Sequence, residues 1–255
     1  MSGRIRAPST PTQFAVSPEG TRLAFAASDG IYVATVDGRS LRRVAAAEGA
    51  TAPSWSPDGT ELVFEDEAQI FTVDVSTGQL VRLTDAPRQV WRPNFSPDGR
   101  QILFTRQTDE GVDLWTVPVS GGQLTLSLRL AGKHDRAAFG AYGPDGTIAF
   151  RRTQFDGFDI TEMTSDVIWL ASAQGTDRRA VGSGHAWMSQ ADPEALWPAW
   201  SPDGTRIAYE SLYGRGIWIV DVRTGDTERL GNGIDPVWLD EDTLIVERFG
   251  EGRSW

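Results

Sequence analysis

Histidine is scarce in this 255-residue sequence, and that scarcity restricts the chemistry available to the chain. There are two histidines, His134 and His185, and no cysteine. A serine hydrolase triad needs a histidine beside a nucleophile, but Gly182-Ser183-Gly184-His185 does not have the Gly-x-Ser-x-Gly spacing of a nucleophile elbow. Two histidines without cysteine cannot build a histidine-rich or thiolate metal site, and no phosphate-binding glycine loop is present. We therefore predict no catalytic residues, no metal and no cofactor.

A short acidic segment is the second place to look for chemistry. Asp156, Asp159, Glu162 and Asp166 follow one another in a stretch that also contains glycine. Carboxylate oxygens are the ligands that Ca²⁺ prefers, but the EF-hand spacing is absent. We interpret these residues as solvated loop acids, and calcium binding in loop 156–166 stays open.

The net charge of the chain restricts the kinds of partner that it can bind. The formal net charge is −11, whereas a surface that binds duplex nucleic acid or an anionic membrane normally has the opposite sign. The N-terminus lacks the apolar stretch of a signal peptide, and no apolar run approaches the roughly 18 residues of a membrane helix. We predict a soluble chain with no nucleic-acid partner and no membrane insertion, and the compartment stays unknown.

A recurring turn sequence indicates the β-strands that position the remaining candidate residues. Ser-Pro-Asp-Gly occurs at residues 56–59, 96–99 and 201–204, with variants at Ser17–Gly20 and Gly143–Gly146. Proline presets φ at the second turn position, and the glycine accepts positive φ. Short segments rich in β-branched and aromatic residues flank each turn, which predicts β-strands.

The spacing of these turns predicts the architecture. Four strand segments per repeat of roughly 40 residues are typical of a β-propeller blade. A degenerate sixth unit begins at Pro236-Val237-Trp238. We predict an all-β, six-bladed β-propeller of four-stranded antiparallel blades, forming a single domain over residues 1–255. The predicted blades begin near residues 12, 51, 91, 137, 197 and 235. The sixth blade is incomplete: either the N-terminal strand closes it, or the chain is truncated after Trp255.

One unit carries a family resemblance. Pro198-x-Trp200-Ser-Pro-Asp-Gly-Thr-x-Ile-Ala-Tyr209, followed by Ile217-Trp218-x-x-Asp221 and a glycine turn, resembles the TolB-like (WD40-like) β-propeller family over roughly residues 12–249. The resemblance implies either a partner-binding scaffold or a regulatory propeller of a peptidase, because fold alone does not fix function. It also allows a periplasmic or extracytoplasmic location if a signal was removed.

Loop lengths indicate which face carries function. In antiparallel blades, the connections from strand two to strand three and from strand four to the next blade share one face. The long segments from Arg152 to Ser165 and from Gly182 to Leu196 both fall there, and long loops on a rigid scaffold usually bind ligands. These loops carry Phe155, Phe158 and Trp187, which serve either recognition or local packing.

First strands enter the blades from the same face and are expected to line the mouth of an axial channel. The candidate partner-binding residues there are Trp91, Arg92, His134, Arg136, Trp197 and Asp235. The cationic members would make a locally positive mouth that attracts an acidic peptide or a carboxylate ligand. The alternative is a ring of solvated charges around a water-filled channel.

Three functions follow from these residues. The first is a non-enzymatic scaffold that binds a protein or peptide partner through the loop-rich face and the channel mouth. The second is a regulatory propeller of a prolyl-oligopeptidase-like peptidase whose catalytic domain is absent from this sequence. The third is a sugar-acid lyase or hydrolase acting in the channel near His134. An open sixth blade would expose strand edges and favour self-association.

Overall fold

The computed structural model describes residues 12–85, 89–130, 136–153, 167–181, 197–211 and 216–247. In these residues every regular element is a β-strand, and no helix that could span a membrane occurs among them. The strands are β1 (Thr12–Val16), β2 (Arg22–Ala27), β3 (Gly30–Thr35), β4 (Leu41–Ala45), β5 (Thr51–Trp55), β6 (Glu61–Asp66), β7 (Gln69–Asp74), β8 (Leu80–Arg82), β9 (Val90–Phe95), β10 (Gln101–Thr108), β11 (Gly111–Pro118), β12 (Thr125–Leu128), β13 (Arg136–Tyr142), β14 (Ile148–Thr153), β15 (Val167–Ala171), β16 (Arg179–Val181), β17 (Ala199–Trp200), β18 (Arg206–Ser211), β19 (Gly216–Asp221), β20 (Thr227–Gly231), β21 (Ile234–Trp238) and β22 (Leu244–Glu247).

The strands form five four-stranded antiparallel sheets and one two-stranded sheet. Each four-stranded sheet takes its strands in sequence order, as a propeller blade does: β1–β4, β5–β8, β9–β12, β13–β16 and β17–β20. The all-β blade architecture is therefore confirmed, but the count of six four-stranded blades is corrected to five. The sixth sheet is the pair β21–β22, and residues 248–255, which follow it, lie outside the described residues. Residues 1–11, the candidate closing segment, also lie outside them.

The chain divides into two compact units, Met1–Ser127 and Leu128–Trp255. The first unit holds the first three blades, and the second holds the next two blades and the β21–β22 sheet. In the first unit, β1 contacts β5 and β5 contacts β9; in the second, β13 contacts β17 and β17 contacts β21. The first strand of each blade thus packs on the first strand of the next within each unit.

The cores of the first four blades centre on one aromatic position in the second strand. Phe25, Phe64, Phe104 and Phe150 are fully buried at equivalent places in β2, β6, β10 and β14. Burying a phenylalanine contributes about 1.5–3 kcal/mol. The outermost strands differ: all three residues of β8 are exposed. The inner strands therefore supply most of the apolar burial.

The Ser-Pro-Asp-Gly turns are closed by a buried serine. The serine hydroxyl donates to the turn aspartate at 2.6 Å in Ser56–Asp58, Ser96–Asp98 and Ser201–Asp203. Ser201 Oγ also accepts the backbone N–H of Arg206 at 3.0 Å, where β18 begins. The hydrogen bond from Ser201, followed by those from Thr205, lowers the pKa of Asp203 to about 2. The turn sequence thus fixes the register of the first two strands.

The fourth turn has Gly143 in place of serine for a packing reason. A Cβ at this position would lie 2.9 Å from Cε2 of Trp200, closer than van der Waals contact allows. Trp200 is held in place because its Nε1–H donates to the carbonyl of Ala141 at 3.1 Å. The departure from the repeat at residue 143 therefore makes room for the indole of the next blade.

The Trp200 hydrogen bond belongs to a repeated contact between neighbouring blades. The other two copies join Trp55 to the carbonyl of Ala15 at 3.1 Å and Trp238 to that of Ala199 at 2.9 Å. Arg22 lies over the Trp55 ring at 4.4 Å, and Arg206 lies over the Trp238 ring at 4.9 Å. Each indole N–H donates to a carbonyl of the preceding blade, as a buried tryptophan requires. These contacts therefore join consecutive blades within each unit.

Candidate functional site

The first strands share a backbone irregularity at one repeat position. Gln13, Ala52, Arg92, Phe139 and Asp235 all have positive φ, between 49° and 56°. Each lies where the pairing of the first strand with the second shifts register, which is the mark of a β-bulge. We call these five the bulge residues. By sequence position, Trp197 is their counterpart in the fifth blade, three residues before Trp200.

Proline explains part of this irregularity. Pro53, Pro93 and Pro236 directly follow Ala52, Arg92 and Asp235, and proline cannot donate to the strand ladder. The positive φ of the residue before it is unfavourable for a non-glycine residue and costs on the order of 1–3 kcal/mol. Bulges re-aim side chains and are enriched beside binding sites. The same strained backbone therefore presents a different side chain in each of the first four blades and in the β21–β22 sheet.

A bulge removes a backbone N–H from the ladder, and the preceding blade supplies its acceptor. In the first unit, the side-chain oxygen of Gln13 accepts the N–H of Ala52 at 2.5 Å. The corresponding N–H of Arg92 donates to the carboxylate of Glu65, at the end of β6. Buried N–H groups must be paired. At two successive blade boundaries, a different side chain, Gln13 or Glu65, accepts the N–H that the bulge leaves unpaired within its own blade.

Glu65 has an unusual electrostatic environment. It is partly buried, and this desolvation raises its pKa from 4.5 to about 7, despite opposing effects from the nearby guanidinium of Arg92 and from hydrogen bonds donated by Arg92 N–H and the Thr51 hydroxyl. The carboxylate of Asp66 adds a smaller raising effect. Burial disfavours the charged form of a carboxyl group. Glu65 therefore changes protonation near neutral pH, next to a cation on a strained strand.

In the second unit, the bulge position of the first strands is occupied by aromatic and acidic residues. The rings of Phe139 and Trp197 meet edge to face, with centroids 6.4 Å apart. Asp235 is 8% exposed, and Ile234, which precedes it on β21, pairs across the strands with Glu247 on β22. Burial, followed by the charge of Asp235, raises the pKa of Glu247. An aromatic pair and two mutually repelling carboxylates thus occupy the first-strand region of this unit.

The structure places five of the nine predicted partner-binding residues. Trp91 and Arg92 are adjacent and partly buried on β9, Arg136 is exposed at the start of β13, and Trp197 and Asp235 belong to the second unit. His134, Phe155, Phe158 and Trp187 lie outside the described residues, as does the acidic loop 156–166. Within the described residues, no group of three or more acidic or histidine side chains could hold a metal ion.

Sequence reasoning missed three residues of the first unit: Gln13, Thr51 and Glu65. Gln13 and Glu65 cap the bulged strands, and Thr51 donates to Glu65. The recurring proline three residues before a turn serine was the available signal for the bulges, since it marks a strand position that cannot pair normally. No comparable signal marked Glu65.

The profile of the TolB beta propeller domain family matches residues 6–177 of this chain. Among curated proteins, the chain is 35% identical over 118 residues to "Uncharacterized peptidase YuxL" of Bacillus subtilis. That match covers 40% of this chain and 18% of the relative. This chain therefore corresponds to a small part of that protein.

Solved structures show the same fold. TolB from Acinetobacter baumannii superposes with a TM-score of 0.73 at 18% identity, covering 92% of this chain and 59% of that chain. "Oligogalacturonate lyase in complex with manganese" superposes with a TM-score of 0.67 at 13% identity, covering 96% and 74%. At these identities the likeness concerns the fold alone.

Proposed function

Because the chain belongs to the TolB β-propeller domain family, we propose that it is a non-enzymatic scaffold that binds a protein or peptide partner through its bulged first strands. One observation carries the proposal. The bulge backbone repeats within a narrow range of φ, while its side chains vary from glutamine to alanine, arginine, phenylalanine and aspartate. The core phenylalanines, in contrast, are the same in the first four blades, and the fifth has the aromatic Tyr209 at this position.

This contrast separates the two kinds of repeat position. A residue that stabilises the blades is expected to recur from blade to blade, as the buried phenylalanines do in the first four. A position whose side chain changes on a constant and strained backbone is a candidate for recognition where that side chain is partly accessible, as at Arg92.

In the first unit, the partner would contact Trp91 and Arg92. Aromatic and arginine side chains supply most of the energy in protein interfaces, and both residues are partly accessible. The four candidates outside the described residues, His134, Phe155, Phe158 and Trp187, would extend the surface. Because the net charge of the protein is −11, a cationic contact point differs in charge from most of its surface, and a partner can distinguish it on that basis.

The test is a selection of peptides from a random display library on the purified full chain. The selected peptides are then measured against Trp91→Ala and Arg92→Gln. Arg100→Gln is the matched control, because Arg100 is exposed in the turn at the opposite end of the same blade. Affinity lost at least tenfold in the first two variants and kept in the control would support the proposal. Equal affinity for all four proteins would refute this placement of the site.

A regulatory propeller of a peptidase is the second candidate, and the 35% identity to the Bacillus relative favours it. Sequencing the gene beyond codon 255 tests it. An in-frame hydrolase domain would support the peptidase function, and a stop codon at that point would exclude a catalytic domain fused after residue 255. A lyase or hydrolase acting near His134 is supported only by fold likeness, and assays on oligogalacturonate with His134→Ala would test it.

A further inference from the structure

We propose that β8, the outermost strand of the second blade, pairs edge to edge with the same strand of a second copy of this chain. The two copies are related by a two-fold axis that passes through Val81. Because β8 lies at the opposite edge of its sheet from β5, this contact is separate from the bulged first strands and goes beyond the proposed function.

The edge at β8 is the most exposed of the outer strands. In the other four described blades, the outer strands β4, β12, β16 and β20 each contain buried or partly buried residues, whereas all three residues of β8 are exposed. Leu80 and Val81 each keep 45% of their surface accessible. Consecutive residues of a strand point to opposite faces, so this edge exposes an aliphatic side chain on both faces of its sheet.

Hydrogen bonds at both ends of β8 fix the direction of its backbone groups. The N–H of Asp74 donates to the carbonyl of Gln79 at 3.0 Å, and the N–H of Leu83 donates to the carbonyl of Ile70 at 2.8 Å. Residues 79 and 83 therefore direct their backbone groups toward β7. Backbone direction alternates along an antiparallel strand, so Val81 also faces β7 and its two neighbours face outward.

The outward groups form a self-complementary pattern. Leu80 and Arg82 each point a backbone N–H and a C=O away from β7, and Val81 lies midway between them. In an antiparallel pair of two β8 strands, Leu80 of each copy exchanges both hydrogen bonds with Arg82 of the other. The two Val81 residues then face each other at the axis as a non-hydrogen-bonded pair, in which side chains approach most closely. A second copy of β8 therefore pairs every outward group of this edge.

The residue at the axis distinguishes β8 from the outer strands of three other blades. Val81 pairs with the third-strand residue that follows the aromatic position, and the residues equivalent to it are Arg42 in β4, Arg179 in β16 and Glu228 in β20. A two-fold pair of any of those strands would set two identical charges opposite each other, which is unfavourable. Charged residues protect edge strands from pairing, and β8 has valine where the protection would be.

The one charged side chain of β8 is neutralised within its own chain. Arg82 forms an ion pair with Asp85, and its Nε–H donates to the carbonyl of Thr84 at 2.7 Å. Two copies of a chain with a net charge of −11 repel each other over most of their surface, and at β8 this repulsion is small. Three residues make a small interface, so we expect reversible association.

The absence of cysteine from the chain allows a disulfide test of this register. Val81→Cys, Leu80→Cys and Leu230→Cys are oxidised separately with copper phenanthroline at one protein concentration, and non-reducing electrophoresis follows the covalent dimer. Facing Cα atoms of a non-hydrogen-bonded pair lie about 4.5 Å apart, within reach of a disulfide, whereas the two Leu80 residues are offset by two positions and exceed the limit of about 7 Å.

We expect the covalent dimer to form about tenfold faster or more in Val81→Cys than in either control. Exposure alone predicts no such difference, because Leu80 is as exposed as Val81, and Leu230, at 49%, is more exposed. Equal rates in the three variants would mean random collision and would overturn the pairing.

Sedimentation velocity of the wild type, from about 1 µM to 1 mM, measures the association itself. The wild type should shift from monomer toward dimer over this range. Val81→Asp should stay monomeric, and cooperative thermal unfolding shows that this variant is folded. A wild type that stays monomeric throughout, or a Val81→Asp variant that dimerises like wild type, would also overturn the inference. The peptide-binding proposal is tested separately, at Trp91 and Arg92.

Discussion

Replacement of Glu65 by glutamine should stabilise the protein in alkaline solution. The wild-type carboxyl titrates at about 7 in the folded protein and near 4.5 when unfolded. One pKa unit corresponds to about 1.36 kcal/mol, so ionised Glu65 lowers the free energy of unfolding by about 2–4 kcal/mol. Glutamine removes this cost while its side-chain oxygen can still accept the N–H of Arg92.

The sign of the pH dependence is fixed by linkage. Because folding raises the pKa of Glu65, the folded state holds the proton more tightly than the unfolded state. The contribution of Glu65 to stability is therefore fully present below about pH 4.5 and is lost as pH rises through about 7. The difference between Glu65→Gln and wild type should be near zero at pH 4.5 and reach about 2–4 kcal/mol at pH 8.5.

Urea unfolding of both proteins between pH 4.5 and 8.5 measures this difference. Arg92→Gln and the double variant complete a mutant cycle: loss of Arg92 should destabilise wild type more at pH 8.5 than at pH 4.5, and should lose this pH dependence when residue 65 is glutamine. A stability difference between Glu65→Gln and wild type that does not change with pH would refute the assigned environment of Glu65. So would a variant less stable than wild type at pH 8.5.

Three further substitutions test the packing between and within blades. Gly143→Ser restores the repeat sequence but should destabilise by about 1–3 kcal/mol because it collides with Trp200, measured by thermal unfolding; a gain in stability would contradict this packing. Trp238→Phe loses the hydrogen bond that the indole N–H donates to the Ala199 carbonyl and should cost about 1 kcal/mol in urea unfolding; an unchanged value would show that a water molecule donates to this carbonyl in place of the indole. Ser201→Ala removes a buried hydroxyl that closes its turn and should cost about 1–3 kcal/mol; a neutral result in the same assay would show that the turn closes without it.

The strands and turns of the blades could be predicted from the sequence because their signals are local. Pro-Asp-Gly specifies a turn through the backbone preferences of three consecutive residues, and a phenylalanine in an apolar segment indicates a buried strand, as Phe64 and Phe104 are. The departure of the last unit from the repeat could also be predicted, since Leu239–Asp242 replaces the turn. The expected count of six blades was wrong: the described residues form five four-stranded blades, and the last unit forms the two-stranded sheet β21–β22.

The bulges and Glu65 were not predictable in the same way. Ala52 and Arg92 have positive φ although neither is a residue that favours it, so their conformation is imposed by neighbouring strands. Glu65 lies at the end of a strand, where a charged residue normally indicates a solvated position. Its burial and its partner Arg92 come from the next blade, 27 positions along the sequence, and no local pattern reports such a contact.

The crossing of hydrogen bonds from one blade to the next limits how such a protein can recombine. The amide of Ala52 depends on Gln13, and that of Arg92 depends on Glu65. A blade moved alone into a relative would bring a donor without its acceptor, and a buried unpaired donor costs about 1–3 kcal/mol. A segment that can be exchanged without losing these hydrogen bonds must therefore contain the boundary between two blades, with the neighbouring strands of both, rather than one blade.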